Sequence, residues 1–243
     1  MNISNGKRSK TFYIKVTGSY ALWTDPATKG GGERVSMPVP TRQALQGIVD
    51  ACYFKPTIKN IVDEVKIVNP IRFSSIGYRA LYGNNSPGLN YVTVLEEVIY
   101  FVKFWFEWND AREDLMADRN MNKHEAIMER SLKKGGRRDI FLGAREFVGF
   151  VEEISQFEYD AEKTAYYGTT VPLGRMFHSF KYPEKSGGLL ESYFTETIMT
   201  DGIVKFKPQS ECEVKNELSS YTFKTGSAVV SVDTELKEYG KDG

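Results

Sequence analysis

The sequence predicts an α+β fold in which a ferredoxin-like β-α-β-β-α-β domain is followed by a β-rich C-terminal extension. The first observation is the order of strand-like and helix-like hydrophobic periodicities over the first ~150 residues. The second is a series of short extended stretches and turn residues beyond Tyr159. The third is a charge-rich end that is poor in aromatic residues. We therefore expect the two units at residues 1–155 and 156–221, and a disordered tail at residues 222–243.

The first strand and the first helix are expected before Pro56. Phe12 to Val16 is a run of aromatic and β-branched residues that favours a strand. After a long loop, Thr41 is the expected N-cap of a helix. Pro56 ends this helix, because the residue before a proline is pushed out of helical geometry. The apolar stripe of the helix follows a 3.6-residue period and consists of Ala44, Leu45, Ile48, Val49 and Cys52.

Two further strands are expected after this helix. Apolar and polar residues alternate from Val65 to Phe73 and again from Tyr100 to Trp108, which is the pattern of half-buried strands. The segment between them contains Gly83 to Gly88, a run of turn-forming residues.

A second helix and a last strand complete the order. The helix is predicted from Lys123 to Lys134, with Asn122 as N-cap and Glu125 completing a capping box. Gly135 and Gly136 end it, and a strand follows from Ile140 to Val151. The expected sheet has four antiparallel strands, with both helices on one face.

Composition excludes several classes of protein. The chain has 243 residues, of which 41% are hydrophobic and 26% are charged, and its net charge is zero. This composition is that of a globular protein and not of a fibrous or disordered one. Cys52 and Cys212 are too few and too distant for a disulfide framework or a zinc site. The sequence contains no membrane-spanning stretch and no signal peptide, so we expect no membrane partner and a cytoplasmic location.

Charge is nevertheless concentrated in one segment. Residues 119–145 carry eight basic residues against three acidic ones, a local net charge of +5. Two glycines beside four cations make a flexible basic loop that can follow a phosphate backbone. The candidate RNA-binding residues are Lys133, Lys134, Gly135, Gly136, Arg137 and Arg138.

The sequence has two histidines, His124 and His178, whose imidazole rings can carry acid–base chemistry. His124 follows Lys123 in the first turn of the second predicted helix, where the helix dipole attracts an anion and keeps the ring neutral. Tyr53 continues the apolar face of the first helix, but its hydroxyl can project from the helix end into a cleft. His178, in an aromatic-rich loop, is expected to be a packed or a surface histidine without a catalytic role.

We expect no metal and no cofactor. Four acidic residues crowd the segment before the second helix, but they follow no known ligand pattern; they are Asp110, Glu113, Asp114 and Asp118. Gly30 to Gly32 lacks the lysine and hydroxyl residue of a phosphate-binding P-loop.

Several motifs resemble those of one known family. They are Tyr20–Pro26 (YALWTDP), Tyr53–Thr57 (YFKPT), Lys123-His124 and, above all, Ser131–Gly143 (SLKKGGRRDIFLG). In order and content they resemble the CRISPR-associated endoribonuclease of the type I-C (Dvulg) subtype, which belongs to the Cas five family of the RAMP superfamily. The resemblance extends from about Phe12 to about Cys212.

The resemblance implies a fold, an activity and partners. The fold is a ferredoxin-like RAMP domain with a β-rich C-terminal extension. The activity is metal-independent cleavage of the repeat hairpin of precursor CRISPR RNA. The family's catalytic residues correspond to Tyr53, Lys123 and His124, while Phe54 stands where the family often has tryptophan. The implied partners are the repeat hairpin, the mature guide RNA, the backbone and large subunits of the type I-C interference complex, and double-stranded DNA within that complex.

The chemistry of RNA cleavage suggests a role for each residue. We assign the principal acid–base role to His124, stabilisation of the phosphorane to Lys123, and a second proton-transfer or orienting role to Tyr53. The products would be a 2′,3′-cyclic phosphate and a 5′-hydroxyl. Two alternatives remain open at this point. One is a non-catalytic scaffold that holds the 5′ end of the guide RNA, and the other is a generic RRM-like module that stacks bases on an open sheet face.

Overall fold

The computed structural model describes residues 7–26, 28, 33–81 and 87–223 and shows a mixed α/β protein. The α-helices are α1 (Arg42–Cys52), α2 (Met121–Leu132) and α3 (Gln156–Ala161). Two 3₁₀-helical segments span Glu113–Asp118 and Gln209–Glu211. The strands are β1 (Phe12–Ala21), β2 (Arg34–Val35), β3 (Ile58–Ile67), β4 (Phe73–Leu81), β5 (Pro87–Trp108), β6 (Ile140–Phe141), β7 (Val148–Glu153), β8 (Thr170–Lys181), β9 (Leu189–Thr200), β10 (Ile203–Lys205) and β11 (Val214–Ser220).

The sheet is mostly antiparallel. Its main path runs β11-β9-β10-β3-β5-β1-β7-β6, and β2, β4 and β8 pair off this path. The pair β2–β5 is parallel, whereas the central neighbours β3–β5, β5–β1 and β1–β7 are antiparallel. Because β9 and β10 join the path beside β3, the C-terminal strands continue the same sheet.

Helices α1 and α2 pack on one face of the central strands. Their buried side chains belong to one cluster with the inward-facing aromatic residues of β5. Each large apolar side chain buried in this way contributes about 1.5–3 kcal/mol. The cluster includes Leu45 and Val49 from α1, Met128 and Leu132 from α2, and Phe104 and Phe106 from β5.

Helix α3 packs on the opposite face. The ring of Tyr159 lies 5.0 Å from that of Tyr13 and 6.3 Å from that of Phe101, measured between centroids. Since Tyr13 alternates along β1 with the buried Phe12 and Ile14, its side chain points away from α1 and α2. This second face is therefore covered in part.

The predicted start of α1 is confirmed, whereas its end comes before the residue that Pro56 constrains. The side chain of Thr41 accepts the backbone N–H of Ala44 at 3.2 Å, so Thr41 is the N-cap. Such a cap stabilises a helix by about 1 kcal/mol. The helix ends at Cys52, and Tyr53 has an extended backbone.

The N-cap predicted for α2 is wrong by two positions. Asn120 caps the helix by accepting the backbone N–H of Lys123 at 3.0 Å, and Asn122 lies inside the first turn. Glu125 takes no part in a capping box, because it accepts the backbone N–H of Lys10 at 2.7 Å. The two glycines predicted to end α2 do follow it, with φ of 78° at Gly135 and 106° at Gly136.

The predicted strand limits also need correction. The stretch Val65–Phe73 is divided between β3 and β4, with Pro70 in the interruption, where proline offers no N–H to a neighbouring strand. The strand predicted at Tyr100–Trp108 begins much earlier, at Pro87. The stretch Ile140–Val151 is a hairpin of β6 and β7.

Gly143 lies in the turn of this hairpin and has no room for a side chain. A Cβ there would lie 1.8 Å from the carbonyl oxygen of Leu22, and the φ of Gly143 is 96°. The turn therefore requires glycine.

Some expectations concern residues outside the described ranges. These are the tail beyond Phe223, the glycines at 30–32 and part of the turn at 83–88. Within the described part of the chain, no helix is both long and apolar enough to cross a bilayer.

Candidate active site

Tyr53 follows the last residue of α1 and is completely buried. Its backbone N–H donates to the carbonyl of Val49 at 3.0 Å, so the position of Tyr53 depends on the helix end. The side-chain amide of Asn60 in β3 donates to the carbonyl of Tyr53 at 2.9 Å and to the carboxylate of Asp50 at 2.8 Å. The end of α1 is thus tied to the sheet, and the hydroxyl of Tyr53 donates to Nδ1 of His124 at 2.7 Å.

His124 lies in the first turns of α2 and is also completely buried. Its Nε2 lies 3.0 Å from the backbone carbonyl oxygen of Asp118. Because a carbonyl oxygen can only accept, this contact places the proton on Nε2 and leaves Nδ1 as the acceptor for Tyr53. The rings of Phe106 and Trp108 stand edge-on to the imidazole at 6.3 and 5.8 Å.

The surroundings of these two side chains shift their pKa values in opposite directions. Burial lowers the pKa of His124 below its ordinary value, although Asp118 opposes the shift. Burial raises the pKa of Tyr53, although the nearby Arg137 opposes that shift. At neutral pH the imidazole is therefore uncharged and the phenol keeps its proton.

Asp118 connects the remaining polar groups of the site. Its carboxylate accepts hydrogen bonds from Lys123 Nζ and, at 2.7 Å, from Thr57 Oγ1. It also lies 3.5 Å from His124 Nε2. The hydrogen bond from Lys123 is the main reason that the pKa of Asp118 is lowered to about 2. Asp118 is therefore ionised, and it contacts both members of the Lys123-His124 pair.

The basic loop closes over this site. The guanidinium carbon of Arg137 lies 4.8 Å from the ring centroid of Tyr53. The backbone N–H groups of Arg137 and Arg138 donate to the carbonyl of Ala51, near the end of α1. Lys133, Lys134, Arg137 and Arg138 are exposed, whereas Gly135 and Gly136 are half-buried. The structure thus brings the predicted basic loop next to the predicted catalytic residues. Among Tyr53, Lys123 and His124, it is Lys123 whose side chain is exposed, by 42%.

Most of this chain matches one family of known proteins. The family model described as CRISPR-associated protein (Cas_Cas5) matches residues 11–207. This chain belongs to the Cas5 family. The match includes all of α1, β3, β5 and α2, which together position Tyr53, Lys123 and His124.

Two curated Cas5 relatives carry the name CRISPR pre-crRNA endoribonuclease Cas5d. The one from Mannheimia succiniciproducens is 24% identical over 237 residues, which cover 83% of this chain and 97% of the relative. The one from Thermus thermophilus is 26% identical over 187 residues, which cover 72% of this chain and 75% of the relative. A solved structure of a functionally uncharacterized protein from Streptococcus mutans is 54% identical, covers 86% of this chain and 98% of its own, and superposes with a TM-score of 0.74.

Two of the acidic residues before α2 form ion pairs with arginines in this Cas5 protein. Asp110 pairs with Arg119 at 3.3 Å, and Asp114 pairs with Arg112 at 2.7 Å. Among the described residues, no group of three or more His, Cys, Asp or Glu side chains is arranged to hold a metal ion. The carboxylate of Asp118, which the sequence analysis grouped with these acids, instead belongs to the site.

His178 is buried, which is one of the two placements left open by the sequence, and it lies in strand β8 and not in the expected loop. Its Nε2 donates to the carbonyl of Lys207 at 2.9 Å, and its Nδ1 contacts Ser179 Oγ at 2.8 Å. This Cas5 protein thus has two buried histidines, each bonded at both ring nitrogens, and His124 is the one beside a lysine and under the basic loop.

Sequence reasoning missed Asp118, Thr57 and Asn60 as parts of the site. Thr57 and Asn60 are distant from α2 along the chain. The pairing of β3 with β5 places this part of the chain beside Phe106 and Trp108, whose rings contact His124. One weak indication of the role of Asp118 is present in the sequence. An acidic residue five positions before a lysine at the start of a helix can reach the side chain of that lysine.

Proposed function

We propose that this chain is a metal-independent endoribonuclease that cleaves the repeat hairpin of precursor CRISPR RNA to give mature guide RNA. The observation that carries the proposal is the hydrogen-bonded series from the Tyr53 hydroxyl through His124 to Asp118, with Lys123 beside it. Membership of the Cas5 family and the names of the two curated relatives support the choice of substrate.

The protonation states of His124 and Tyr53 support an assignment of the general base and the general acid. Nδ1 of His124 has no proton, so His124 removes the proton of the 2′-hydroxyl beside the scissile phosphate. The 2′-oxygen then attacks the phosphorus, and Lys123 stabilises the charge on the phosphorane. Tyr53, which keeps its proton at neutral pH, donates it to the leaving 5′-oxygen. The protonated His124 then returns its proton to the phenolate of Tyr53, which regenerates the starting state. The products are a 2′,3′-cyclic phosphate and a 5′-hydroxyl.

Substrate binding must first open the site, because Tyr53 and His124 are buried. Arg137 is held on the ring of Tyr53 by a cation–π contact, which contributes about 0.5–1 kcal/mol at an exposed position. Hydrogen bonds between an arginine and a phosphate are stronger, about 1.5–3 kcal/mol. A phosphate of the bound RNA therefore draws Arg137 away from Tyr53 and admits the scissile bond.

The proposal includes a fold and a biological setting. A ferredoxin-like RAMP domain over residues 1–155 is supported by the central order β3-β5-β1-β7 and by the packing of α1 and α2 on one face. Residues 156–221 are its β-rich extension. After cleavage the chain stays with the mature guide RNA in the type I-C interference complex, beside the backbone and large subunits and in contact with double-stranded DNA. This complex works in the cytoplasm.

The decisive experiment incubates the purified protein with a labelled repeat hairpin in EDTA. We expect cleavage at one position and a 2′,3′-cyclic phosphate on the 5′ product. A hairpin with a 2′-deoxy nucleotide at the cut site is the matched control and is expected to stay intact, because it lacks the attacking hydroxyl. If the protein binds the unmodified hairpin and leaves it whole, the non-catalytic scaffold is the correct function.

The basic loop is expected to make RNA affinity strongly dependent on salt. Each phosphate contact contributes about 0.7–0.9 to the slope of log affinity against log salt concentration. The double variant Lys134→Ala/Arg138→Ala should therefore bind the hairpin more weakly and reduce the slope by about 1.4–1.8. Binding is measured by fluorescence anisotropy at several salt concentrations.

A charge-matched control separates loop contacts from a general loss of charge. Lys185 and Lys205 are exposed residues elsewhere on the chain. The double variant Lys185→Ala/Lys205→Ala should keep the wild-type slope. An equal loss of slope in both double variants would show that the loop does not contact phosphates.

A further inference from the structure

Phe150 is an exposed aromatic residue in the middle of a strand. It lies in β7 between two buried residues, Gly149 and Val151, and 69% of its surface is exposed. Val151 packs in the cluster under α1 and α2, so Phe150 points to the opposite face of the sheet. Thr17 of β1 is its cross-strand neighbour in the sheet.

Phe150 separates two cavities on this face. One has a volume of about 360 Å³ and lies between β7 and the loop from Lys134 to Asp139. The other has a volume of about 490 Å³ and is lined by residues that include Lys15, Thr17 and Glu97. The first is a partly enclosed groove, whereas the second is a shallow and open depression. A planar group on the ring of Phe150 would therefore have space on both sides.

The charges around Phe150 favour an anionic ligand. Lys134 and Arg138 line the first cavity, and neither forms an ion pair with a carboxylate of the described residues. Lys15 lines the second cavity, but it faces Glu152 across the β1–β7 pair and interacts with the charge of Glu158. Asp139 is the acid that lines the first cavity, so the cations exceed the acids there. In the second cavity Glu97 balances Lys15. A ligand with a flat apolar part and a negative charge on the side of the basic loop would contact both the ring and the cations.

The first cavity is connected to the candidate active site through the basic loop. Arg137 of this loop lies on the ring of Tyr53, and its neighbour Arg138 lines the cavity beside Phe150. The loop also lies close to β7, because a Cβ on Gly135 would be 3.4 Å from the carbonyl oxygen of Val151. An RNA strand that places a phosphate on Arg137 would reach Phe150 along the same loop.

We propose that Phe150 is a stacking platform for an unpaired nucleobase next to the hairpin, with Lys134 and Arg138 holding the adjacent phosphates. This inference rests on the proposed function and adds a binding site for single-stranded RNA to it. Single-stranded RNA is commonly bound by aromatic rings that stack on bases within a basic groove.

The test uses a hairpin that cannot be cleaved, with 2′-deoxy at the cut site and 2-aminopurine placed in turn at each unpaired flanking nucleotide. Wild type should quench the fluorescence at one of these positions. Phe150→Ala should abolish the quenching and weaken binding by about 5–100-fold. Phe150→Trp should restore both, because its ring also stacks, whereas Phe150→Leu should restore neither.

Tyr167 provides the matched control, because it is 81% exposed and lines neither cavity. Tyr167→Ala should bind and quench like wild type, and thermal unfolding shows that each variant is folded. Wild-type affinity in Phe150→Ala, full affinity in Phe150→Leu, or the absence of quenching at every position in wild type would overturn the inference. Because binding is measured without cleavage, a wild type that stacks the base but does not cut unmodified RNA refutes only the proposed function.

Discussion

His124→Ala is expected to slow cleavage of the repeat hairpin by ~10²–10⁴-fold, the usual contribution of a general base. The variant removes the unprotonated Nδ1, which accepts a hydrogen bond from the Tyr53 hydroxyl in the structure and is proposed to accept the proton of the 2′-hydroxyl. The rate constant is measured with enzyme in excess over RNA, so that product release does not limit it. RNA affinity should change little, because His124 is completely buried and the exposed cations stay in place in the variant.

His178→Ala is a close control, because it also removes a buried imidazole that is bonded at both ring nitrogens. Both variants should unfold at lower temperature than wild type, since each leaves a cavity and unpaired polar groups. Only His124→Ala should lose cleavage at a temperature at which both are folded. Equal rates in the two variants would show that His124 is a packed residue like His178.

The local parts of the fold could be predicted from the sequence where one signal was dominant. Thr41 is followed by a regular apolar stripe and then by Pro56, and α1 has the predicted start. At α2, Asn120 and Asn122 can both cap a helix, so local preference could not decide between them. The bond from Lys10 to Glu125 comes from a segment far along the chain, and it removes the second half of the predicted capping box.

The candidate site was predictable only as far as its motifs extend. Tyr53, Thr57 and the Lys123-His124 pair stand in recognisable motifs. The bond from Thr57 to Asp118 and the contacts of Asn60 and Asp118 with the site form only through the packing of the strands against α1 and α2. The burial of Tyr53 and His124 also depends on tertiary structure, because Arg137 closes the site from a loop beyond α2. A sequence pattern names chemical groups, but their protonation states follow from contacts that the fold creates.

Asp118→Asn is expected to slow cleavage by ~10²-fold, the effect of a small misplacement of a reacting group. Asparagine at this position keeps the backbone carbonyl that accepts the hydrogen bond from His124 Nε2, so the tautomer of His124 is preserved. It loses the negative charge that holds Lys123 Nζ, and Lys123 can then leave the position from which it would stabilise the phosphorane. Asp118 is thus a positioning residue that acts through Lys123.

The pH dependence of the rate distinguishes this role from a general loss of structure. Neutral His124 is the active form, so the rate should rise with pH through a pKa below the ordinary histidine value, because burial lowers it. The carboxylate of Asp118 favours the protonated imidazole, so its loss should lower this pKa further. The acidic limb of the profile of Asp118→Asn should therefore move to lower pH while the plateau falls.

Asp114→Asn is the matched control, because Asp114 lies in the same 3₁₀-helical segment and pairs with Arg112 on the surface. Its rate and its pH profile should be those of wild type, since exposed ion pairs contribute at most about 1 kcal/mol and this one does not contact the site. A plateau that falls without a shift of the acidic limb would mean that the carboxylate of Asp118 does not act on His124. A wild-type plateau in Asp118→Asn would mean that Lys123 finds its position without Asp118.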